Sequence, residues 1–387
     1  MNYVYLSPHF PPNYYNFCVA LRKFGVNVLG LAEEPYEFLK PELKYALTEY
    51  FCVEDLHNYN QLVKALGYLT YKYGKIDGID SNNEYWLETE AKLRTDFNIF
   101  GFKLDTLDAI KCKSEMKKVF QSAGVPCARG RIVNTILEAK KLIKETGYPV
   151  VAKPDKGVGA VNTFKINNES ELKDFFKTKP DADYIMEEFI KGDISSFDGL
   201  TDHDGNLVFF TSHQYDKGIM ETVNEDHHIY YYSYRDVPKD IEEAGRKILK
   251  AFNVKGRFFH FEFFRLHENS QIVALEVNMR PPGGFTTDMF NWACDIDIYQ
   301  EWANVIVNNK FGTEYTRRYH VCYISRKNNK KYKYSHEEIL NHCGEMLVFH
   351  TEMDSVLAQA MGNYAYIVRA KEMGPIFKVI DFIHKEI

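Results

Sequence analysis

The chain lacks a CxxC pair, an internal repeat, a low-complexity tract and any apolar run near the roughly 18 residues of a membrane span. Its seven cysteines (Cys18, Cys52, Cys112, Cys127, Cys294, Cys322 and Cys343) are scattered and odd in number. Neither a disulfide framework nor a zinc site is indicated, and a reducing, cytoplasmic setting is expected. A basic excess is missing too: 48 Lys and Arg stand against 54 Asp and Glu, a net charge of −6. That argues against general binding to nucleic acid or to an anionic membrane. The opening segment MNYVYLSPHFPP has no basic start and no long apolar core, so it does not read as a secretory signal. There is no GxGxxG, which removes the main support for a dehydrogenase, and no Walker A pattern.

What is present begins with strand–helix alternation. Strands are expected at Tyr3–Leu6, Val26–Leu31, Tyr50–Val53 and Ile76–Ile79, with helices at Asn13–Phe24, Tyr59–Tyr73 and Tyr85–Phe97. This order predicts a parallel, doubly wound α/β sheet, which binds ligands beyond the carboxyl ends of its strands. Those ends lead into Ser7–Pro11 and Asp80–Glu84, making His9, Asn82 and Glu84 candidate substrate contacts. Ordinary turn chemistry accounts for the same residue types.

The most informative stretch runs from Gly256 to Gly284, GRFFHFEFFRLHENSQIVALEVNMRPPGG. It predicts a hairpin in which alternate side chains share a face. His260, Glu262 and Phe264 lie on one face of the first strand, and Phe259, Phe261 and Phe263 on the other. Glu276, Asn278 and Arg280 share a face of the second strand. A turn centred on Asn269 sets Glu262 opposite Glu276 and His260 opposite Asn278. Facing carboxylates repel, unless a hard cation with a preference for oxygen ligands sits between them. Glu262, Glu276 and Asn278 are therefore candidate Mg²⁺ ligands, and Arg280 suits a bidentate grip on phosphate or carboxylate. The plain alternative is a half-solvated sheet face.

Upstream, helices are expected at Lys113–Gln121 and Ile136–Glu145. A strand at Tyr148–Lys153 then enters the loop Pro154-Asp155-Lys156-Gly157-Val158-Gly159-Ala160. Glycines there let backbone N–H groups approach phosphate, with Lys153 as a point charge above it. A simple hairpin turn would look the same. The apolar strand that starts at Tyr184 breaks into the two acids Glu187 and Glu188, then Phe189-Ile190-Lys191-Gly192-Asp193, where backbone groups could pair with an adenine edge; a charged strand end is the alternative. His203-Asp204-Gly205 marks another hairpin, and Ile241–Phe252 and Asp297–Val307 read as helices. The adjacent His227 and His228 after Asp226 read as solvated. The basic run from Arg317 to Lys333 reads as a solvated face, followed by strands at His320–Ile324, Met346–His350 and Tyr364–Arg369 and helices at 335–342 and 373–386.

Taken in order, Lys113, Lys153 before PDKGVGA, MEEFIKG, FHFEFF and EVNMRPPGG resemble the ATP-grasp superfamily, carboxylate–amine ligase type. The resemblance implies a preceding α/β domain at 1–105, an ATP-grasp domain at 106–310 (subdomains about 106–185 and 186–310) and a C-terminal α+β segment at 311–387. It implies that Lys113 and Lys153 contact ATP phosphates, with Lys156, Gly157 and Gly159 in the loop that closes over them. Glu187 and the backbone of Glu188, Phe189 and Ile190 would hold adenine. Where family members carry an acid for the ribose this chain has Ile194, and Asp193 is the substitute. Glu262, Glu276 and Asn278 would hold Mg²⁺, or alternatively Mn²⁺. Arg280 and Lys153 would act on the transferring phosphoryl group, and Arg280 also on substrate.

The implied activity is ATP-dependent joining of a small-molecule carboxylate to an amine through an acyl-phosphate, with an amino acid as one substrate. No protein nucleophile is required, in keeping with the missing Ser or Cys elbow. Thiol ligation or carboxylation keeps the fold and changes the acceptor. A nucleotide-binding module without turnover is the alternative of another class. The oligomeric state is open, a homodimer among the choices.

Overall fold

The computed structural model describes residues 1–157, 162–216 and 227–387. Three sheets organise it. The first comprises β1 (Asn2–Leu6), β2 (Asn27–Ala32), β3 (Glu49–Cys52) and β4 (Gly78–Asp80), parallel throughout in the order β3-β2-β1-β4. Its strands read as apolar runs because helices cover both faces, the arrangement that parallel sheets require. One face buries Val4, Leu29 and Ile79 against the helix Tyr59–Tyr73, whose boundaries match expectation. The other buries Tyr3, Tyr5 and Val28 against the helix Tyr15–Lys23 and Trp302 of the distant helix Ile298–Asn308. That second contact ties the N-terminal sheet to the rest of the chain.

The second sheet comprises β5 (Gly130–Ile132), β6 (Val150–Pro154), β7 (Phe164–Ile166) and β8 (Tyr184–Glu188), antiparallel in the order β5-β8-β6-β7. Helices Ile136–Thr146 and Glu169–Thr178 close one face, each with a side-chain cap from Thr135 or Asn168. A capping side chain satisfies backbone N–H groups that the first turn leaves open.

The third sheet has nine strands: β9 (Gly192–Thr201), β10 (Leu207–Thr211), β11 (His213–Tyr215), β12 (Tyr230–Ser233), β13 (Phe258–Leu266), β14 (Ile272–Asn278), β15 (His320–Arg326), β16 (Leu347–Glu352) and β17 (Tyr364–Ala370). The order is β14-β13-β9-β11-β12-β15-β17-β16, with β10 on β9. The strands of residues 311–387 therefore continue the sheet built by residues 192–278, through β12 pairing with β15 (Tyr231 opposite Tyr323). Phe259, Phe261 and Phe263 are fully buried beneath the helix Lys239–Ala251. Gly245 on that helix lets the Phe197 ring touch its backbone, since an added Cβ would come within 2.2 Å of the ring.

The basic run differs from expectation. Arg326 is turned inward, donating to the Ile383 and Tyr334 carbonyls (both 2.7 Å), and Lys327 is buried. Arg317 lies over the Phe210 ring at 4.5 Å. Only part of the stretch is a solvated face, because the strand β15 carries its polar end into the sheet.

Candidate active site

The hairpin β13–β14 forms in the expected register at its functional end. His260 pairs with Asn278, Phe261 with Val277 and Glu262 with Glu276. Below Glu262 the register slips by one, Phe263 opposing Ala274, so Leu275 is the extra residue of a bulge. The two glutamates thus face each other just above a kink, on the side opposite the phenylalanine core.

Two lysines reach this pair from other elements. The helix Lys113–Ser122 lies between the sheets, its Met116 sulfur accepting the Val277 N–H at 3.3 Å. Its first turn is fixed by Asp155, in the loop after β6, whose carboxylate accepts from the Ser114 N–H (2.7 Å) and hydroxyl (2.9 Å). That anchorage brings the Lys113 ammonium to 3.8 Å from Glu276 and 3.3 Å from the Gly157 carbonyl. Lys153 at the end of β6 is buried and lies 2.7 Å from Glu187. Lys117, one helical turn beyond Lys113, bonds the other Glu187 oxygen at 2.5 Å and the Ala128 carbonyl at 2.7 Å.

Burial alone would lower the Lys153 ammonium, but Glu187, Glu276 and Glu262 outweigh it and hold its pKa above the ordinary value. Burial would likewise raise Glu187, and the two lysines reverse that. The facing glutamates are driven apart. Burial pushes Glu276 up, with Lys113 and Lys153 opposing and Glu262 and Glu84 adding to it. Glu262 is drawn down, His260 and then Arg280 overcoming its burial. Two carboxylates and the Asn278 amide, all oxygen donors on one face with their charge only partly offset, form a donor set that suits a hard divalent cation.

Beneath Glu262 lies a network that sequence reading missed. The Asp198 carboxylate on β9 accepts from His260 Nδ1 (2.5 Å), His213 Nδ1 (2.7 Å) and the Ser196 hydroxyl (2.6 Å), all in the interior. The far side of the His260 ring, Nε2, is 3.4 Å from Glu262. Burial opposes protonation of His260, but Asp198 and Glu262 prevail and raise its pKa to about 9. Burial is overcome in the same way at Asp198, which the two histidines hold well below the usual carboxylate range.

Because the folded His260 value is raised, its contribution to stability is complete below the ordinary value of 6.5 and is lost as pH climbs through about 9. Asp198 is depressed, so its contribution is complete above its ordinary value of 3.8 and is lost as pH falls below it. The thermal midpoint should therefore drop between neutral pH and about pH 10, and His260→Gln should flatten that decline. Equal slopes in the two proteins by scanning calorimetry would contradict the assignment.

The remaining candidates divide. Arg280 donates to the Pro281 carbonyl at 2.7 Å and acts electrostatically on Glu262. Glu188 is clasped by Arg129 through its N–H (2.7 Å), Nε (2.8 Å) and Nη2 (2.6 Å). Phe189 lies under the Lys165 ammonium at 4.0 Å, and Ile190 is half-buried in the link from β8 to β9. Lys156 points outward to Asp108 at 3.0 Å, and Asp193 is exposed and paired with His267 at 2.9 Å. Neither joins the lysine–glutamate group. Gly159 lies outside the described residues.

In the N-terminal domain, Glu84 is buried with one oxygen 3.1 Å from Lys111 and, among the described residues, no partner for the other. Its charge is felt by Glu276. The turn Lys111-Cys112-Lys113 thus sends one lysine to Glu84 and the next to Glu276. Asn82 is buried at φ +55°, donating to the Tyr5 hydroxyl at 3.1 Å, a supporting role for the loop. His9 is half-buried, and desolvation lowers its pKa against the pull of Glu34 and Glu33.

A small antiparallel sheet carrying Lys153 thus accompanies a larger sheet carrying the paired acids Glu262 and Glu276. Residues 146–288 match the family model described as an ATP-grasp domain. The chain covers 98% of itself and 95% of the crystal structure of an L-amino acid ligase from Bacillus licheniformis, with a TM-score of 0.77 and 15% identity. It is 26% identical over 255 residues to the L-arginine-specific L-amino acid ligase of Bacillus subtilis, spanning 64% of this chain and 61% of that protein. It is 25% identical over 205 residues to the carbamoyl phosphate synthase large chain of Agathobacter rectalis, 50% of this chain and 18% of that one. The match thus spans less than two-thirds of these curated relatives. Residues 146–288 thus match an ATP-grasp domain, and the solved structures of similar fold include an ADP complex of N5-carboxyaminoimidazole ribonucleotide synthetase. Among the described residues no helix is long and apolar enough to cross a membrane.

Proposed function

We propose that this chain is an ATP-dependent carboxylate–amine ligase, forming an amide or peptide bond with release of ADP and phosphate, and that an amino acid is one substrate. The observation that carries this reading is the Glu262–Glu276 pair facing across the ladder with Lys113 and Lys153 at its edge. The relatives named for amino acid ligation support the substrate class.

A carboxylate is a poor electrophile. Its oxygen attacks the γ-phosphorus of ATP, ADP departs, and the resulting acyl-phosphate carries a good leaving group. The amine nitrogen then attacks the carbonyl carbon, loses a proton, and expels phosphate. Lys113 and Lys153 offset the negative charge that accumulates on the triphosphate, and Arg280 offsets it on the transferred group. Glu187 fixes Lys153 in place by sharing its carboxylate with Lys117. Glu262, Glu276 and Asn278 would hold Mg²⁺, with Mn²⁺ as the alternative. Such an ion supplies charge neutralisation and Lewis acidity at the phosphates. Glu84, whose second oxygen has no partner among the described residues, is the N-terminal residue we assign to a substrate ammonium group.

ADP release with Mg²⁺ and pooled amino acids, followed by product mass spectrometry, tests the reading. A condensed product accompanied by stoichiometric ADP is expected. Release only with a thiol points to thiol ligation, and none with any pool points to a nucleotide-binding module. Calorimetric ATP binding should collapse in a chelator, and full-strength binding there would contradict the metal site.

A further inference from the structure

A cavity of about 320 Å³ opens beside the Arg280–Gly284 loop, outside the lysine–glutamate site. Residues 12–16 form one wall, 284–292 a second and 349–357 a third. Trp292 and Phe349 stack with centroids 5.7 Å apart at 25°, and Phe285 meets Phe349 at 5.0 Å. Asp288 contributes a carboxylate to this aromatic lining, and Glu352 and Asp354 stand exposed at its mouth.

The Asp288 carboxylate accepts from Asn13 Nδ2 at 2.7 Å and from the Tyr299 hydroxyl, both neutral donors, and has no ion pair among the described residues. Burial pushes its pKa up to about 6, so the ionised form at neutral pH lacks a counter-charge. The lining also holds Lys40, which donates to the Pro12 carbonyl at 2.8 Å and lies 4.7 Å over the Tyr15 ring rather than pairing with Asp288. Aromatic faces and an acid bonded only to neutral donors attract a cation, repel an anion, and offer a neutral guest no charge pairing.

We infer that this cavity binds an organic cation, a primary ammonium or guanidinium on an apolar stem. The stem would lie along Trp292 and Phe349 and the charge at Asp288. Tyr14, fully buried, feels the charges of both Arg280 and Asp288, which sets the cavity near the arginine proposed to act on the transferring phosphoryl group. That the cation is the side chain of an amino acid substrate rests on the ligase reading; the cavity itself does not.

Isothermal titration of the full chain without nucleotide, using agmatine and n-butylammonium as probes and 1-butanol and butyrate as controls, tests the site. The two cations should bind and the controls should not, with affinity falling at least tenfold in Asp288→Asn or Trp292→Leu. Glu352→Gln, at an exposed position, should weaken binding severalfold and serves if the other variants fail to fold. Absence of cation binding, equal binding of 1-butanol, or agmatine affinity unchanged in these variants would overturn the proposal, whatever the ADP assay gives. The source is read separately, from ADP formation with arginine against norleucine. A preference for arginine that Asp288→Asn erases assigns the cation to a substrate, and binding without such a preference assigns it to a separate ligand.

Discussion

Glu276→Gln should cut ADP formation by about a hundredfold or more and weaken Mg²⁺-dependent nucleotide binding at least tenfold, while leaving the unliganded protein no less stable. The two halves of this expectation come from the same electrostatics. Burial and the facing Glu262 raise the Glu276 pKa, so the folded state disfavours its ionised form. A carboxyl raised on folding gives its full stabilisation only below the unfolded value and loses it as pH rises. At neutral pH the charge at this position therefore opposes folding, and the neutral isostere removes that opposition. Charge kept against the interest of the fold has its use when a divalent cation and a triphosphate arrive. Nucleotide titration and urea unfolding on the same variant check both halves. Unchanged metal-dependent binding would remove Glu276 from the site, and a large loss of unliganded stability would show the carboxylate to be a structural partner of Lys113.

How much of this was legible before the structure depends on whether a feature is local. The Glu262–Glu276 pairing follows from strict alternation around a turn centred on Asn269, and the ladder keeps that register. The bulge at Leu275 carries no residue signal, so the lower half of the hairpin is shifted against simple counting. The helix Thr286–Cys294 escaped notice because its Thr, Asp, Phe, Asn and Trp residues are weak helix formers. It is held by burying Met289, Phe290, Ala293 and Cys294. The strands after residue 311 were visible as apolar runs, but their pairing with β12 is a non-local fact that no periodicity encodes.

The site divides along the same line. Lys153 and Lys113 stood out by position on a strand end and a helix start. Lys117 sits four residues beyond Lys113, on the same helix face, and that spacing was the available clue. Asp198 offered another, an acid between Phe197 and Leu200 in a strand, which requires a partner when buried. Its partners, His213 and His260, arrive from two further strands and could be assigned only once the sheet order was known. The bonding partners of Glu187 are likewise a tertiary fact. The family resemblance put it at the adenine, and its carboxylate lies between two buried ammonium groups.

That placement makes Glu187→Gln the most damaging single change to stability. The three groups carry a net single positive charge among side chains at most a tenth exposed. Removing the shared carboxylate doubles that charge and leaves two ammonium groups in the interior, a kind of loss that costs about 3–5 kcal/mol. Urea unfolding of the nucleotide-free chain should register it. Replacing Lys117 by Met in the same background should recover part of the loss, since one of the two stranded charges is then gone. A bound triphosphate should also recover part, by supplying negative charge near Lys153, so nucleotide should raise the variant's midpoint more than the wild type's. If Glu187 instead acts chiefly on adenine, the outcome is different. Stability would change by less than about 1 kcal/mol, Lys117→Met would add its own loss, and discrimination between ATP and GTP would weaken.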